Sequence, residues 1–190
     1  AGVTLFIGVS LSLTSRAGGA SLSVRQAFIL TTLSWIVLTA FAALPFAFSQ
    51  LNLSFTDAFF ESMSGITTTG STIITNLDEA PPGLLLWRSL LQWLGGIGII
   101  VMALAVMPLL RVGGMQLFRM ESSDLSEKAL PRAAQVAAAI TAIYVILTIV
   151  WAALLWLVGM TGFDAVSHAM TTIATGGFSN YDASVGHFNS

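Results

Sequence analysis

Residues 57–70 read DAFFESMSGITTTG, and residues 164–177 read DAVSHAMTTIATGG. Sliding the chain against itself by 107 positions aligns the two stretches without a gap, and they share the pattern D-A-x4-M-[ST]-x-I-x-T-x-G. The same offset pairs Arg25 with Arg132, so the agreement extends beyond the stretches themselves. We therefore interpret the chain as two copies of one structural unit.

Each copy predicts a short helix that begins at a cap and runs into a Thr/Gly-rich loop. Ser54-x-x-Asp57 and Thr161-x-x-Asp164 resemble capping boxes, which start helices by satisfying free N–H groups. A helix of about 12 residues is ~18 Å long, roughly half of the ~30 Å hydrocarbon layer of a membrane. The expected helices cover about 55–66 and about 162–173.

The composition indicates an integral membrane protein. Hydrophobic residues make up 55% of the chain, charged residues 8%, and the mean hydropathy is +0.86, whereas a soluble domain carries roughly 25% charged residues. So few charges exclude both a soluble surface and a disordered chain. The absence of cysteine excludes disulfides and thiolate chemistry. A net charge of −2 leaves no basic surface for a nucleic-acid partner.

Three uncharged runs exceed the length of about 20 residues that a spanning helix needs. They lie between Arg25 and Asp57, between Arg88 and Arg111, and between Arg132 and Asp164. We expect spanning helices near 27–48, 86–110 and 133–158. A shorter apolar run, Val3–Leu13, is expected to be the tail of a further helix.

Two other uncharged runs, Ser62–Leu77 and Ala165–Tyr181, are rich in Thr, Ser and Gly. They are either surface loops or re-entrant segments, which membranes tolerate only where protein or water surrounds them. Their central residues, 67–72 and 174–179, include no carboxylate. An uncharged extended loop offers a dehydrated cation its backbone carbonyls, and glycine allows the positive φ that turns them. This chemistry favours a monovalent cation over calcium, and a pair of ordinary Gly-containing turns is the alternative.

The basic residues predict an orientation, because short cytoplasmic loops carry an excess of Lys and Arg. Placing 14–26 and 111–132 in the cytoplasm puts six of the seven basic residues inside and leaves Arg88 outside. Segment 49–85 then begins and ends outside. The short helices would start outside and point the negative ends of their dipoles inward, toward a cation.

Several stretches resemble the TrkH/KtrB family of potassium-uptake proteins, and the TrkH branch most. They are FTDAFFES and SGITTTG within 55–70, QWLGGIGII at 92–100, GGMQL at 113–117, FDA at 163–165 and IATGGFS at 173–179. The resemblance runs over almost all of residues 20–190. It implies an all-α integral membrane protein with repeated outer helix–pore helix–filter loop–inner helix units, like a potassium channel.

The resemblance also implies potassium uptake across the bacterial inner membrane, as the membrane subunit of a Trk-type system. Four non-identical units would surround one pore, in a homodimer that lies in the lipid bilayer and binds a cytoplasmic TrkA-type nucleotide-binding ring. Potassium would be the transported ion, with no organic cofactor, and coupling to proton or sodium in symport stays open. The filter residues expected in this chain are Thr67, Thr68, Thr69, Gly70, Ser71, Ala174, Thr175, Gly176, Gly177 and Phe178.

The expected organisation has four parts. They are the end of an amino-terminal helix with a cytoplasmic loop (1–24), a first pore unit (25–110) with its filter at 67–72, a cytoplasmic connector (111–131), and a second pore unit (132–190) with its filter at 174–179. The second unit is expected to lack its inner helix, and in this the chain departs from the family pattern.

A few other residues have two interpretations each. Glu61 and His168 occupy equivalent places in the short helices and are expected to hold the loops from behind or to face an outer vestibule. Arg88 either influences the pore mouth or snorkels to the membrane interface. Close packing is favoured over a hinge for Gly95, Gly96 and Gly98.

Other function classes fit less well. A re-entrant-loop secondary transporter for another monovalent cation, such as sodium or ammonium, is the alternative, but inverted repeats are expected there and these copies run parallel. An enzyme is not expected. Ser167 and His168 are adjacent in sequence, so their side chains diverge on a helix and make a poor nucleophile–base pair.

Overall fold

The computed structural model describes residues 23–110 and 126–188, and within these ranges every regular element is helical. We number the α-helices in chain order. They are α1 (Val24–Ala42), α2 (Leu44–Ala47), α3 (Phe55–Ile66), α4 (Pro82–Leu110), α5 (Ser126–Leu157) and α6 (Gly162–Ile173). Short 3-10 helices at Leu77–Glu79 and Ser184–Phe188 follow α3 and α6. The expected segment 1–22 and most of the expected connector, residues 111–125, lie outside the described residues.

Helices α1 and α2 together cover the first expected spanning helix, 27–48. Ser23 caps α1 in a complete capping box, because its hydroxyl accepts the Gln26 N–H and the Gln26 side chain accepts the Ser23 N–H. The break at Ala43 is followed closely by Pro45. Proline lacks an N–H and its ring crowds the carbonyl four residues earlier, which accounts for the interruption.

Helices α4 and α5 both begin earlier than expected. α4 begins at Pro82 instead of 86, where a missing N–H is harmless because the first helical turn has no partner for it. α5 begins at Ser126 instead of 133, so the end of the expected connector 111–131 is helical. A run of uncharged residues predicts only the part of a helix that lies in hydrocarbon. Glu, Lys and Arg favour helix, so the helix itself continues past that run into water.

Three helical segments are long and apolar enough to cross a membrane, namely Phe28–Ala47, Pro82–Met102 and Gln135–Leu157. Large apolar side chains are exposed along them, among them Leu38, Ile146 and Val150. Water would solvate such a surface poorly, whereas lipid chains solvate it well. The short helices α3 and α6 have 12 residues each and lie at the 107-residue offset, with the bounds expected. The predicted fold class, an all-α integral membrane protein of repeated units, is confirmed.

Helix α4 lies at the centre of the packing. It contacts α3 of its own copy and α6 of the other copy. The core of the first copy is formed by Ala42, Ala43, Phe46, Ala58, Ile74, Leu77, Ala80, Leu85 and Leu91. Helix α4 of the first copy therefore packs against the short helices of both copies.

Candidate functional site

The two short helices begin in the same way. The hydroxyls of Ser54 and Thr161 accept the N–H of Asp57 and Asp164 at 3.1 and 3.2 Å. Each hydroxyl also donates to the Oδ2 atom of that aspartate, at 2.7 Å in both copies. The expected capping boxes are therefore half right, because the carboxylate binds the cap hydroxyl instead of the cap N–H.

Helix α3 ends in a hydrogen-bonded reversal. The Thr69 N–H donates to the Ser64 carbonyl, and the Thr68 N–H donates to the Gly65 carbonyl, both at 3.0 Å. These are the two bonds of a Schellman motif, which closes a helix by turning one residue into the left-handed region. That residue is Thr68, whose φ is +57°.

Helix α6 ends in the same way. The Gly176 N–H donates to the Thr171 carbonyl, and the Thr175 N–H donates to the Thr172 carbonyl, both at 2.9 Å. The left-handed residue is Thr175, whose φ is +56°. Glycine usually occupies this position, so both copies place threonine where its branched Cβ is disfavoured.

The backbone strain is therefore the same in both loops, which we call the first loop (67–72) and the second loop (174–179). Two residues after each left-handed threonine, Gly70 and Gly177 have φ values of 78° and 79°. A β-branched residue with positive φ costs about 1–3 kcal/mol and persists only where its surroundings hold it. Such strain clusters at functional sites, so the two loops are the candidate site.

The first and second loops lie against each other. A Cβ added to Gly70 would overlap the carbonyl oxygen of Gly176. Gly70 and Gly177 also line one cavity of about 150 Å³, together with Arg88 and Asp182. The two glycines that the repeat equates therefore face one space.

Glycines in α4 allow this helix to lie close to the end of α3 in its own copy, and to α5 and the end of α6 in the other copy. A Cβ on Gly95 would overlap the carbonyl oxygen of Ile66, at the end of α3. A Cβ on Gly96 would come within 2.6 Å of the Tyr144 hydroxyl and 3.2 Å of Ala174. These contacts support the packing interpretation of the α4 glycines.

Glu61 and His168 hold the loops from behind, as expected. The Thr72 hydroxyl donates to Glu61 Oε1 at 2.9 Å. His168 Nδ1 lies 2.9 Å from the Asp164 carbonyl and Nε2 lies 3.1 Å from the Ser179 hydroxyl. A carbonyl only accepts, so Nδ1 carries a hydrogen, and in the neutral imidazole Nε2 then accepts from Ser179. Thr72 and Ser179 are 107 positions apart, so unlike side chains make the same contact in each copy.

Arg88 joins the two copies through three contacts. Its Nε donates to Glu61 Oε1 at 2.8 Å, and its Nη1 donates to the Ser179 carbonyl at 2.8 Å. Its guanidinium lies 4.1 Å from the centre of the Phe178 ring. Because Arg88 and Glu61 are only 1% and 0% exposed, the snorkelling interpretation of Arg88 is wrong. This face of α4 turns toward the loops and not toward the interface.

Gln92, one helical turn after Arg88, holds the second loop through its amide. Its Nε2 donates to the Gly176 carbonyl at 2.9 Å, and its Oε1 accepts the Phe178 N–H at 3.1 Å. The side chain is fully buried. A Cβ on Gly176 would overlap this amide, so the contact requires glycine at that position.

Asp164 ties the segment after the second loop to the start of α6. Its Oδ1 accepts from the Asn180 amide at 2.9 Å, and its Oδ2 accepts from the Tyr181 hydroxyl at 3.0 Å. Burial acts to raise the pKa of the Asp164 carboxyl, but hydrogen bonds from Asn180, Thr161 and Tyr181 outweigh it and hold that pKa below its ordinary value. Burial and the bond to Asp164 raise the pKa of the Tyr181 phenol.

The segments that follow the two loops also bind each other. The Leu77 N–H donates to Asp182 Oδ1, and the Asp182 N–H donates to Asp78 Oδ2, both at 3.2 Å. His187 Nδ1 lies 3.8 Å from Asp78 Oδ1 and its ring stacks on Tyr181. The two copies therefore meet at the loops and again at the segments that follow them.

The structure brings the ten predicted filter residues into two adjoining loops. Thr72 and Ser179 fall at the ends of the predicted filter ranges 67–72 and 174–179 but are not among the ten predicted lining residues, and sequence reasoning gave Gln92 no role in the site. The 107-residue offset pairs Thr72 with Ser179 and is a signal that identifies them. The repeat offers Gln92 no counterpart within these 190 residues, so periodicity alone does not reveal its role.

Comparisons with known proteins find a matching family and several relatives. Residues 2–190 match the TrkH family, described as a cation transport protein. The Trk system potassium uptake protein TrkI of Halomonas elongata is 53% identical over 168 residues, which cover 88% of this chain and 34% of that protein. The Trk system potassium uptake protein TrkH of Escherichia coli K12 is 49% identical over 191 residues, which cover 99% of this chain and 40% of that protein.

A solved structure is also similar. The crystal structure of the potassium transporter TrkH from Vibrio parahaemolyticus aligns with a TM-score of 0.84 at 46% identity, covering 99% of this chain and 37% of that one. The chain spans between 34% and 40% of the length of these three relatives.

Proposed function

Because the chain belongs to the TrkH family of cation transport proteins, we propose that it takes part in potassium uptake, as the membrane component of a Trk-type system. Relatives that carry the name potassium uptake protein support this proposal. The observation that carries it is the strained backbone shared by the first and second loops, with positive φ at equivalent threonines and glycines.

In the proposed pathway, potassium passes beside the two loops and exchanges its water for their backbone carbonyls. The lining residues are Thr67, Thr68, Thr69, Gly70, Ser71, Ala174, Thr175, Gly176, Gly177 and Phe178. The carbonyl of Gly176 differs from the others, because it accepts a hydrogen bond from the Gln92 side chain. Two further loops would complete the four-unit ring that the family implies.

The charges around the loops favour a monovalent cation. Neither loop contains a carboxylate, and hard divalent cations prefer carboxylate ligands. The carboxyl ends of α3 and α6 lead into the loops, so their dipoles place partial negative charge there. The positive charge of Arg88 is paired with Glu61 at 2.8 Å, which reduces its repulsion of a passing cation.

The organisation of the whole protein is part of the proposal. Residues 25–110 would form the first pore unit and 132–190 the second, with a connector between them on the cytoplasmic side. The bacterial inner membrane, the homodimer, a cytoplasmic TrkA-type ring and any symport with proton or sodium follow from the family resemblance.

Ion uptake by the complete protein tests the proposal. We expect cells that lack other potassium uptake systems to take up potassium rapidly when they express it, and sodium or ammonium much more slowly. Cells that carry the empty vector are the control. Equal rates for sodium and potassium, or a preference for ammonium, would replace this proposal with the alternative monovalent-cation transporter.

A further inference from the structure

Gln92 makes a pair of hydrogen bonds that normally joins two strands. In a paired strand, the carbonyl of one residue and the N–H of the residue two positions later both face the neighbouring strand. Gln92 accepts from Phe178 and donates to Gly176, which are two positions apart, at 3.1 and 2.9 Å. The side-chain amide thus replaces a neighbouring backbone, although it comes from a helix in the other copy.

This contact decides where one carbonyl of the second loop points. The Gly176 oxygen is directed at the Gln92 amide and also lies against Gly70. In the first loop the equivalent carbonyl belongs to Thr69, and among the described residues no donor reaches it. The two loops therefore share a backbone conformation, but only the second has a side-chain donor for this carbonyl.

We propose that Gln92 is a positioning residue for ion discrimination, which fixes the peptide between Gly176 and Gly177 by holding the Gly176 carbonyl away from the ion pathway. This inference rests on the proposed function of the two loops. Without the Gln92 donor, the Gly176 oxygen would be buried and unsatisfied, which is unfavourable. The peptide would then rotate toward whatever water or cation the pathway offers.

Two near-isosteric substitutions separate the two hydrogen bonds. Gln92→Glu keeps an acceptor for the Phe178 N–H and removes the donor to Gly176. Gln92→Met keeps most of the side-chain volume and removes both bonds. Ser89→Ala is the matched control, because Ser89 is buried in the same helix and its hydroxyl donates only to Leu85, within that helix.

The measurement is the ratio of potassium to sodium uptake by the complete protein, at matched amounts in the membrane. We expect both Gln92 variants to lower this ratio by about fivefold or more, the effect of losing one buried hydrogen bond, and Ser89→Ala to leave it unchanged. The same variants should lose the extra thermal stability that potassium, relative to sodium, gives the purified protein.

Three other outcomes would overturn either the proposed function or the role of Gln92. If the unsubstituted protein shows no preference for potassium, the proposed function fails and this inference falls with it. If the unsubstituted protein discriminates but Gln92→Met keeps the full ratio, Gln92 only fills space and the inference alone fails. If neither variant reaches the membrane while Ser89→Ala does, Gln92 serves folding, and the positioning role is likewise rejected.

Discussion

Gly70, Gly176 and Gly177 lie in or beside one narrow contact, yet each is glycine for a different physical reason. Gly177 needs positive φ, but an added Cβ would meet no atom within 4 Å. Gly176 needs space, because a Cβ would overlap the Gln92 amide. Gly70 needs both, because its φ is 78° and a Cβ would overlap the Gly176 oxygen. The repeat predicts Gly70 and Gly177 as equivalents, whereas their surroundings make them unequal.

Replacing Gly70 with alanine should therefore destabilise the protein more than replacing Gly177. At Gly177 the penalty is the left-handed strain alone, about 1–2 kcal/mol. At Gly70 the overlap with a backbone oxygen adds to that strain. Thermal unfolding of the purified complete protein measures both, with Gly83→Ala as the control because its methyl group would meet no atom within 4 Å. Equal losses at the two loop glycines would contradict the contact between the loops.

Replacing Arg88 alone should lower the stability of the folded protein more than replacing both members of the Arg88–Glu61 ion pair. Arg88→Met leaves the Glu61 carboxylate buried without its cation, which costs about 3–5 kcal/mol. Adding Glu61→Gln removes that unpaired charge, so the double variant should regain part of the loss. Unfolding of the single and double variants measures this coupling. A double variant less stable than Arg88→Met alone would show that Arg88 does not stabilise the protein through its ion pair with Glu61.

The Asp164 carboxyl should make the stability of the protein sensitive to acid. Its pKa in the folded protein lies below the ordinary value, so folding favours the ionised form. The stability that it contributes is present above the ordinary aspartate pKa of about 3.9 and is lost as the pH falls through the folded pKa. The melting temperatures of the unsubstituted protein and Asp164→Asn should therefore converge on acidification. A constant difference at every pH would rule out this linkage.

At the scale of whole elements, the bounds of α3 and α6 were predictable because local chemistry marks both ends. A hydroxyl and an aspartate three residues later start each helix, and a Thr/Gly loop ends it. The start of α5 was not predictable from uncharged runs. Glu127, Lys128 and Arg132 lie inside this helix, because charged residues limit the hydrocarbon crossing but not the helix.

The α4 glycines offer a test of how that helix packs. Gly95→Ala should destabilise the protein, because its methyl group would push α4 away from the Ile66 carbonyl. Gly98→Ala should be neutral or stabilising by about 0.5–1 kcal/mol, the usual gain in a helix interior, since its nearest neighbour would be the Trp35 ring at 3.8 Å. Unfolding measurements compare the two. Tolerance of alanine at Gly95 would favour the hinge interpretation.

At the scale of the whole molecule, the fold was predictable and the contacts between copies were not. An internal repeat aligns each residue with its equivalent, but it does not show which side chains join the two copies. Arg88 binds a residue 91 positions away and Gln92 binds one 84 positions away. Polar residues in an apolar helix indicate that they bind other polar groups. Only the packing of α4 between α3 and α6 shows that these groups belong to the loop of the other copy.

Gly177→Ser is the sharpest test of the proposal that the first and second loops discriminate between cations. The position has open space around it but a φ of 79°, so the variant should assemble with an altered loop backbone. In the complete protein we predict that the potassium-to-sodium uptake ratio falls by about fivefold or more, whereas the control Gly83→Ser keeps it. An unchanged ratio in Gly177→Ser, with normal amounts of protein in the membrane, would show that these loops do not discriminate between cations.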